Sequence, residues 1–223
     1  MPEAPEWWKK PRKVTVVVDN PSWILPHAEE LVRLIREEGD DATLARAYDQ
    51  VPKGDVAFYL GCVKITPPEV LRRNRRNLVV HESDLPRGKG FSPLTWQILE
   101  GKSDIPICLL EADEQVDSGN IIFRDMMHFE GHELIDEMRQ VQGQKTIELC
   151  LRFLRAPIPL EGEPQQGEES FYPRRTPKDS ELDVNKTILE QFNLLRVVDN
   201  ERYPAFFQVG GKKYFLKIYK GKP

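Results

Sequence analysis

His81 closes an apolar run, Asn77-Leu78-Val79-Val80-His81, after which the chain breaks into Glu82-Ser83-Asp84-Leu85-Pro86-Arg87-Gly88-Lys89-Gly90 before Pro93 can open a helix. Such a run followed by Pro and Gly predicts a buried parallel strand ending in a loop. A His delivered there stands where open α/β sheets bind ligands. It can move a proton near neutral pH or donate a hydrogen bond to developing negative charge; it can also merely bond a neighbouring loop. Asp117, in the loop that runs from Asp113 to Gly119 before the apolar Ile121-Ile122, is the carboxylate that folding can bring beside it.

The elements that must position this pair follow from periodicity. Val14-Thr15-Val16-Val17-Val18 predicts a central strand buried on both faces. Asp19-Asn20-Pro21-Ser22-Trp23 then makes a polar loop at the ligand edge, and Ala28, Leu31, Val32 and Ile35 mark a helix that stops at Gly39. Asn20, Ser22 and Trp23 are candidate substrate contacts there, Trp23 by stacking a ring, against the alternative of an ordinary loop and cap. Residues 41–47 and 55–60 predict two further strands, the second closed by Gly61. The basic run Leu71-Arg72-Arg73-Asn74-Arg75-Arg76 is expected at the exposed end of a helix opened by Pro67 and Pro68, with an anion site as the alternative.

Beyond Gly90, residues 95–101 predict a short helix, and 105–110 and 121–125 two strands without a helix between them, which implies an antiparallel excursion. Residues 130–153 predict a helix disturbed at Gly131 and Gly143. His128 and His132 are four apart, but no third ligand stands nearby, so no metal is expected. The fold class is therefore α/β, a doubly wound, mostly parallel sheet with a small C-terminal helix and β-hairpin subdomain. Its expected organisation is an arm at 1–12 with Trp7 and Trp8 packed on the surface, a catalytic domain at 13–156, a Pro/Gly/Glu/Gln-rich linker at 157–170, and the subdomain at 171–223. That subdomain is read as a helix carrying Ile188, Leu189, Phe192 and Leu195, then a hairpin turning at Gly210-Gly211.

The segment His81, Ser83, Leu85, Pro86, Gly90, Pro93 and Trp96, followed by Asp117, Gly119 and Ile121, resembles the formyltransferases that use N10-formyltetrahydrofolate. In that family the pattern is Asn-x-His-x-Ser-x-Leu-Pro, a Gly, a Pro and a Trp, then Asp-x-Gly-x-Ile. The resemblance covers residues 55–122, and Gly61-Cys62-Val63-Lys64-Ile65 is similar to the loop along which the family lays the pterin. It implies a Rossmann-like fold, His81 stabilising an oxyanion, Asp117 assisting proton transfer, and Cys62, Val63, Lys64, Ile65, Ala112 and Asp113 contacting the folate co-substrate. The family's Asn is Val79 here. Loss of one oxyanion donor costs about 10²- to 10³-fold in rate, and Ser83, Lys89 and Asn20 are the candidates to replace it.

Arg174-Arg175-Thr176-Pro177 and Tyr203-Pro204-Ala205-Phe206 are similar to the segment that follows the core in methionyl-tRNA and sugar N-formyltransferases. A net charge of -4 disfavours nucleic acid, whose phosphates need a basic surface. The expectation is a sugar N-formyltransferase acting on a nucleotide-linked amino deoxysugar in polysaccharide biosynthesis. It is expected to be cytoplasmic, with no membrane span, and a homodimer through a Phe192, Leu195 and Phe206 surface, although plain packing of those residues is equally open. Other readings are a catalytically impaired folate or nucleotide-sugar binder, a formyltetrahydrofolate hydrolase, and a methionyl-tRNA formyltransferase-like enzyme.

Overall fold

The computed structural model describes residues 3–221. The strands are β1 (Lys13–Val17), β2 (Asp41–Ala45), β3 (Gly54–Tyr59), β4 (Asn74–His81), β5 (Lys89–Gly90), β6 (Asp104–Glu111), β7 (Ile121–His128), β8 (Phe171–Tyr172), β9 (Ala205–Val209) and β10 (Lys212–Leu216). The helices are α1 (Leu25–Glu37), α2 (Pro68–Leu71), α3 (Pro93–Leu99), α4 (Ile135–Leu154) and α5 (Phe192–Val197). A six-stranded sheet runs β2-β1-β3-β4-β6-β7, with the first four strands parallel and β6 antiparallel to both neighbours. The mostly parallel sheet and the antiparallel excursion are as expected.

Alternation of side chains divides each strand between two faces. Val16, Phe58, Leu78 and Ile107 meet Leu31 and Ile35 of α1, Ile98 of α3, and Ile147 and Phe153 of α4 in the main core. Val17, Ala57 and Tyr59 point the other way, where only α2 and loops cover them. That thinner face carries Val79 and, two residues on, His81.

Two adjustments to the expected elements have clear causes. The helix opened by Pro67 ends at Leu71, and the basic run joins β4 instead of a helix end. Its charges are used internally: Arg73 donates to the carbonyls of Tyr48 and Val51, and the buried Arg76 reaches Glu111, Glu161 and Leu160 O. Gly143 does not break α4. A Cβ there would run into the ring of His27 on α1, so the glycine lets the two helices approach.

The 157–170 segment lies bonded against the sheet, with Glu163 and Ile121 exchanging backbone hydrogen bonds of 2.8 and 2.9 Å. In the C-terminal part, α5 begins only at Phe192, leaving Ile188 and Leu189 exposed. Leu195 and Phe206 are each 3% exposed within this chain, and Phe192 packs on the cluster of Leu195, Val198 and Ala205. The surface expected to face a second copy is therefore this chain's own packing. No helix among the described residues is long and apolar enough to cross a membrane.

Trp7 and Trp8 are packed as expected, Trp8 buried edge-on against Phe153 with its Nε1 donating to Ala156 O at 2.9 Å. Arg12 lies over the Trp8 ring, 4.4 Å from its centroid, and pairs bidentately with Asp40 at 2.6 and 3.1 Å. Both partners are buried, so removing one strands a charge that water cannot reach. Asp40→Ala is expected to lower the unfolding free energy by about 3 to 5 kcal/mol, read from urea denaturation. A loss below about 1 kcal/mol would match a solvated surface pair instead.

Candidate active site

β4 ends at His81 and presents the imidazole on the thin face of the sheet, 5% exposed. Its Nε2 lies 2.8 Å from Gly88 O. A carbonyl can only accept, so Nε2 carries a hydrogen and the free edge of the ring is Nδ1. Nδ1 faces Asp117 Oδ2 at 3.6 Å, beyond a direct N–H···O hydrogen bond. The two expected residues are thus brought together with a gap between them.

Asp117 is held from several sides. Its backbone is left-handed at φ 50°, which a non-glycine residue adopts only at a cost. Gly90 N donates to its Oδ2 at 2.8 Å, and Gln165 Nε2 donates to its carbonyl at 2.7 Å and to Gly119 O at 2.9 Å. A Cβ on Gly119 would collide with Glu111 O, so the loop can close onto β6 only with glycine there.

The loop after β3 is organised by Asp19, which the sequence did not single out. Its carboxylate accepts from Val63 N at 3.0 Å and from Lys64 N at 3.1 Å. Asn20 Nδ2 is committed to Asp19 Oδ1 and Gly61 O, both at 2.8 Å, so it pins this loop and has no free donor for an oxyanion. Tyr48 donates to Lys64 O at 2.7 Å. With the backbone fixed, Val63 and Ile65 stand exposed. Cys62 packs with Val79 and Ala112 against Tyr59, and burial pushes its thiol up to about 12, so it serves as a small apolar group.

Ala112 lies beside Asn77, its N donating to Asn77 O at 2.7 Å. Four residues of strand separate Asn77 from His81, roughly 13 Å at the usual rise. Val79 is half-buried midway along that strip. Asp113 is exposed, and its side chain accepts from Glu114 N at 2.6 Å.

The remaining candidates behave differently. Ser83 is buried with its hydroxyl unpartnered. Gly88 and Tyr172 crowd this spot, since a Cβ on Gly88 would lie 3.0 Å from the Ser83 Cβ and 2.8 Å from the Tyr172 ring. Lys89 is 1% exposed, its Nζ taken by Glu169 at 2.6 Å and Ser118 at 2.9 Å. Neither is open to an oxyanion in this arrangement. Trp23 lines a cleft of about 370 Å³ with Pro21, Leu25, Arg46, Asp199, Glu201 and Arg202, which includes neither His81 nor Asp117. Glu82 follows His81; burial pushes its carboxyl up, opposed by the nearby His81 and by Gln142 of α4. His128 ends β7 and His132 sits in the following loop, so they share no helix.

Asp19, Glu82, Gln165 and Glu169 are the site-shaping residues that sequence reasoning missed. Asp19 was within reach, as a carboxylate at the C-terminal end of the first strand. Gln165 and Glu169 carried no local signal, because they lie in a stretch whose composition reads as a tether.

Known proteins resemble this chain in sequence and in fold. The sequence model of the formyl transferase family matches residues 12–150, more than half the chain. A methionyl-tRNA formyltransferase of Symbiobacterium thermophilum is 25% identical over 195 residues, 86% of this chain. The chain spans only 55% of that relative's length. Among solved structures, methionyl-tRNA formyltransferase from Clostridium thermocellum superposes with a TM-score of 0.80 at 21% identity, covering 94% of this chain and 93% of that one. HypX from Aquifex aeolicus in complex with tetrahydrofolic acid gives 0.75 at 18% identity, over 96% and 40%. A likely sugar N-formyltransferase from Mycobacterium tuberculosis gives 0.69 at 19%, over 95% and 100%. At these identities the structures establish a shared fold, and the match of the family model establishes that this chain belongs to the formyl transferase family.

Proposed function

We propose that the chain transfers a formyl group from N10-formyltetrahydrofolate to the amine of a nucleotide-linked amino deoxysugar. The observation that carries the reading is the His81–Asp117 pair, 3.6 Å apart at the end of β4, in a chain of this family. Cys62, Val79 and Ala112 form an apolar surface beside Tyr59, and Val63 and Ile65 stand exposed on the loop that Asp19 holds, a composition that suits a pterin. The HypX relative's complex with tetrahydrofolic acid supports folate as the donor.

A neutral amine attacks the formyl carbon, and the carbonyl oxygen becomes an oxyanion. Collapse then breaks the bond from carbon to N10, which must take a proton as it leaves. Gly88 O holds Nε2, so the ring turns its Nδ1 edge to the site. From there the imidazolium form of His81, with a hydrogen on each ring nitrogen, donates a hydrogen bond to the oxyanion. Asp117, across the gap, takes the proton released by the amine and relays it to N10, directly or through water. Val79 supplies no second donor.

For the acceptor, the Trp23 cleft combines an aromatic ring with the guanidinium groups of Arg46 and Arg202. That composition suits a nucleotide's base and phosphates. The net charge of -4 gives little support to a large polyanion. The second reading, transfer to the amine of methionyl-tRNA, is favoured by the names of the Symbiobacterium and Clostridium proteins.

The test is tetrahydrofolate release from N10-formyltetrahydrofolate, with dTDP- and UDP-linked amino sugars and methionyl-tRNA as acceptors. Release only with an amino sugar is expected. Release only with the tRNA selects the second reading, and release without any acceptor indicates hydrolysis. Folate binding without release would leave a catalytically impaired binder.

His81→Ala and Asp117→Asn are each expected to abolish transfer while thermal unfolding stays cooperative; near-normal turnover in either variant would remove it from the chemistry. Val79→Asn, at a half-buried position, is expected to fold and to raise turnover. A large loss would show that this position serves another purpose.

A further inference from the structure

The 163–172 segment touches both limbs that carry the catalytic pair. On the limb that carries Gly88, to which His81 is bonded, Gly88 N donates to Ser170 Oγ and Lys89 N to Ser170 O, both at 2.9 Å, and Phe91 N donates to Tyr172 O at 3.2 Å. On the Asp117 limb, Gln165 Nε2 reaches the carbonyls of Asp117 and Gly119. Between them, Lys89 Nζ joins Glu169 of the segment to Ser118 Oγ. Residues 117, 118 and 119 are therefore each tied, directly or through Lys89, to a stretch more than forty positions later in the sequence.

We propose that Gln165 is a positioning residue for the His81–Asp117 pair, fixing the left-handed backbone at Asp117 so that its carboxylate is aimed between Gly90 N and His81 Nδ1. The proposal rests on the formyl-transfer reading above. Residue 117 holds its conformation against the ordinary preference of a side-chain-bearing residue, and hydrogen bonds to backbone carbonyls are the means of keeping it there. Gln165 is suited to this because a primary amide has two donor hydrogens, and both find a carbonyl. Its Oε1 is buried without a partner, so the amide tolerates an unmet acceptor in order to keep both donors engaged. The same carboxylate accepts from Gly90 N, so rotation at residue 117 would loosen the second limb as well.

A residue that acts by aiming another changes turnover more than affinity, and its effect vanishes once the aimed group is gone. Gln165→Ala is expected to lower kcat by about 10- to 100-fold, with KM for donor and acceptor and calorimetric folate affinity changed less than about threefold. Gln165→Glu keeps the shape but turns a carboxylate toward two carbonyls, and it should rescue nothing. An unchanged kcat or a change confined to KM would overturn the proposal. Hydrogen exchange of the Gly90 amide, followed without substrate, gives a readout independent of the reaction. Gln165→Ala should accelerate it about tenfold or more while the global melting temperature stays close to wild type; unchanged exchange overturns the positioning role. A wild-type chain that transfers no formyl group to any acceptor, yet shows the faster Gly90 exchange in the variant, would overturn the functional reading and leave the positioning role standing.

Discussion

The hydrogen bond from Gly90 N to Asp117 Oδ2 is the contact on which the candidate site depends, because it joins the two loops that flank the His81–Asp117 pair. One loop continues β4 and bonds His81 through Gly88 O; the other returns from β6 to β7 and delivers Asp117. For the bond to form, residue 117 must turn left-handed, Gly90 must sit at φ 99° beneath Tyr172, and Gly119 must lie against Glu111 O. Each requirement restricts the chain locally. Together they place one nitrogen and one carboxylate oxygen near each other at the end of the sheet.

Val79 acquires a physical meaning in this setting. It lies between two small apolar clusters, one around Tyr59 with Cys62 and Ala112, the other around Leu85, Cys108 and Leu110. A valine there packs on both clusters without adding a polar group. An asparagine would supply a donor near the reacting carbon but interrupt that apolar bed with an amide needing partners. Of the expected substitutes, Lys89 and Asn20 are already engaged and Ser83 is sealed under neighbouring groups. The oxyanion stabilisation in the proposed reaction therefore falls mainly on His81.

Much of this was legible from sequence because it rests on local pattern. The Val14–Val18 run, the α1 stripe of Ala28, Leu31, Val32 and Ile35, and the strand ending at His81 follow from periodicity and punctuation. The errors share a different cause. Arg73 and Arg76 read as exposed because charge usually is, yet long-range partners at Tyr48, Val51 and Glu111 take them into the structure. Residues 188–191 read as helix from apolar spacing, but nothing packs on Ile188 and Leu189, so the helix starts only where Phe192 meets its cluster. Residues 157–170 read as a tether because their composition favours no regular element. Their order comes from Leu160 packing on the main core and from hydrogen bonds to Arg76, Pro86, Asp117, Gly119 and Ile121, all distant in sequence, and no local signal encodes those.

The distribution of charge at the ligand edge bears on the acceptor more than the total does. Arg46 is oriented by the carbonyls of Val18 and Asn20 at 3.3 Å each, and Arg202 by Pro21 O. A carbonyl directs a guanidinium without cancelling its charge. The acids that line the same cleft are spent elsewhere, Asp199 on Arg139 and Glu201 on Lys217. Arg46 and Arg202 thus line the same cleft as Trp23 in a chain that is acidic as a whole. Exposed charges are screened beyond a Debye length of about 8 Å at physiological salt. A ligand whose negative charge is confined to one or two phosphates would feel mainly this local field. Compact anions, such as the phosphates of the proposed nucleotide-linked acceptor, therefore gain most from this edge.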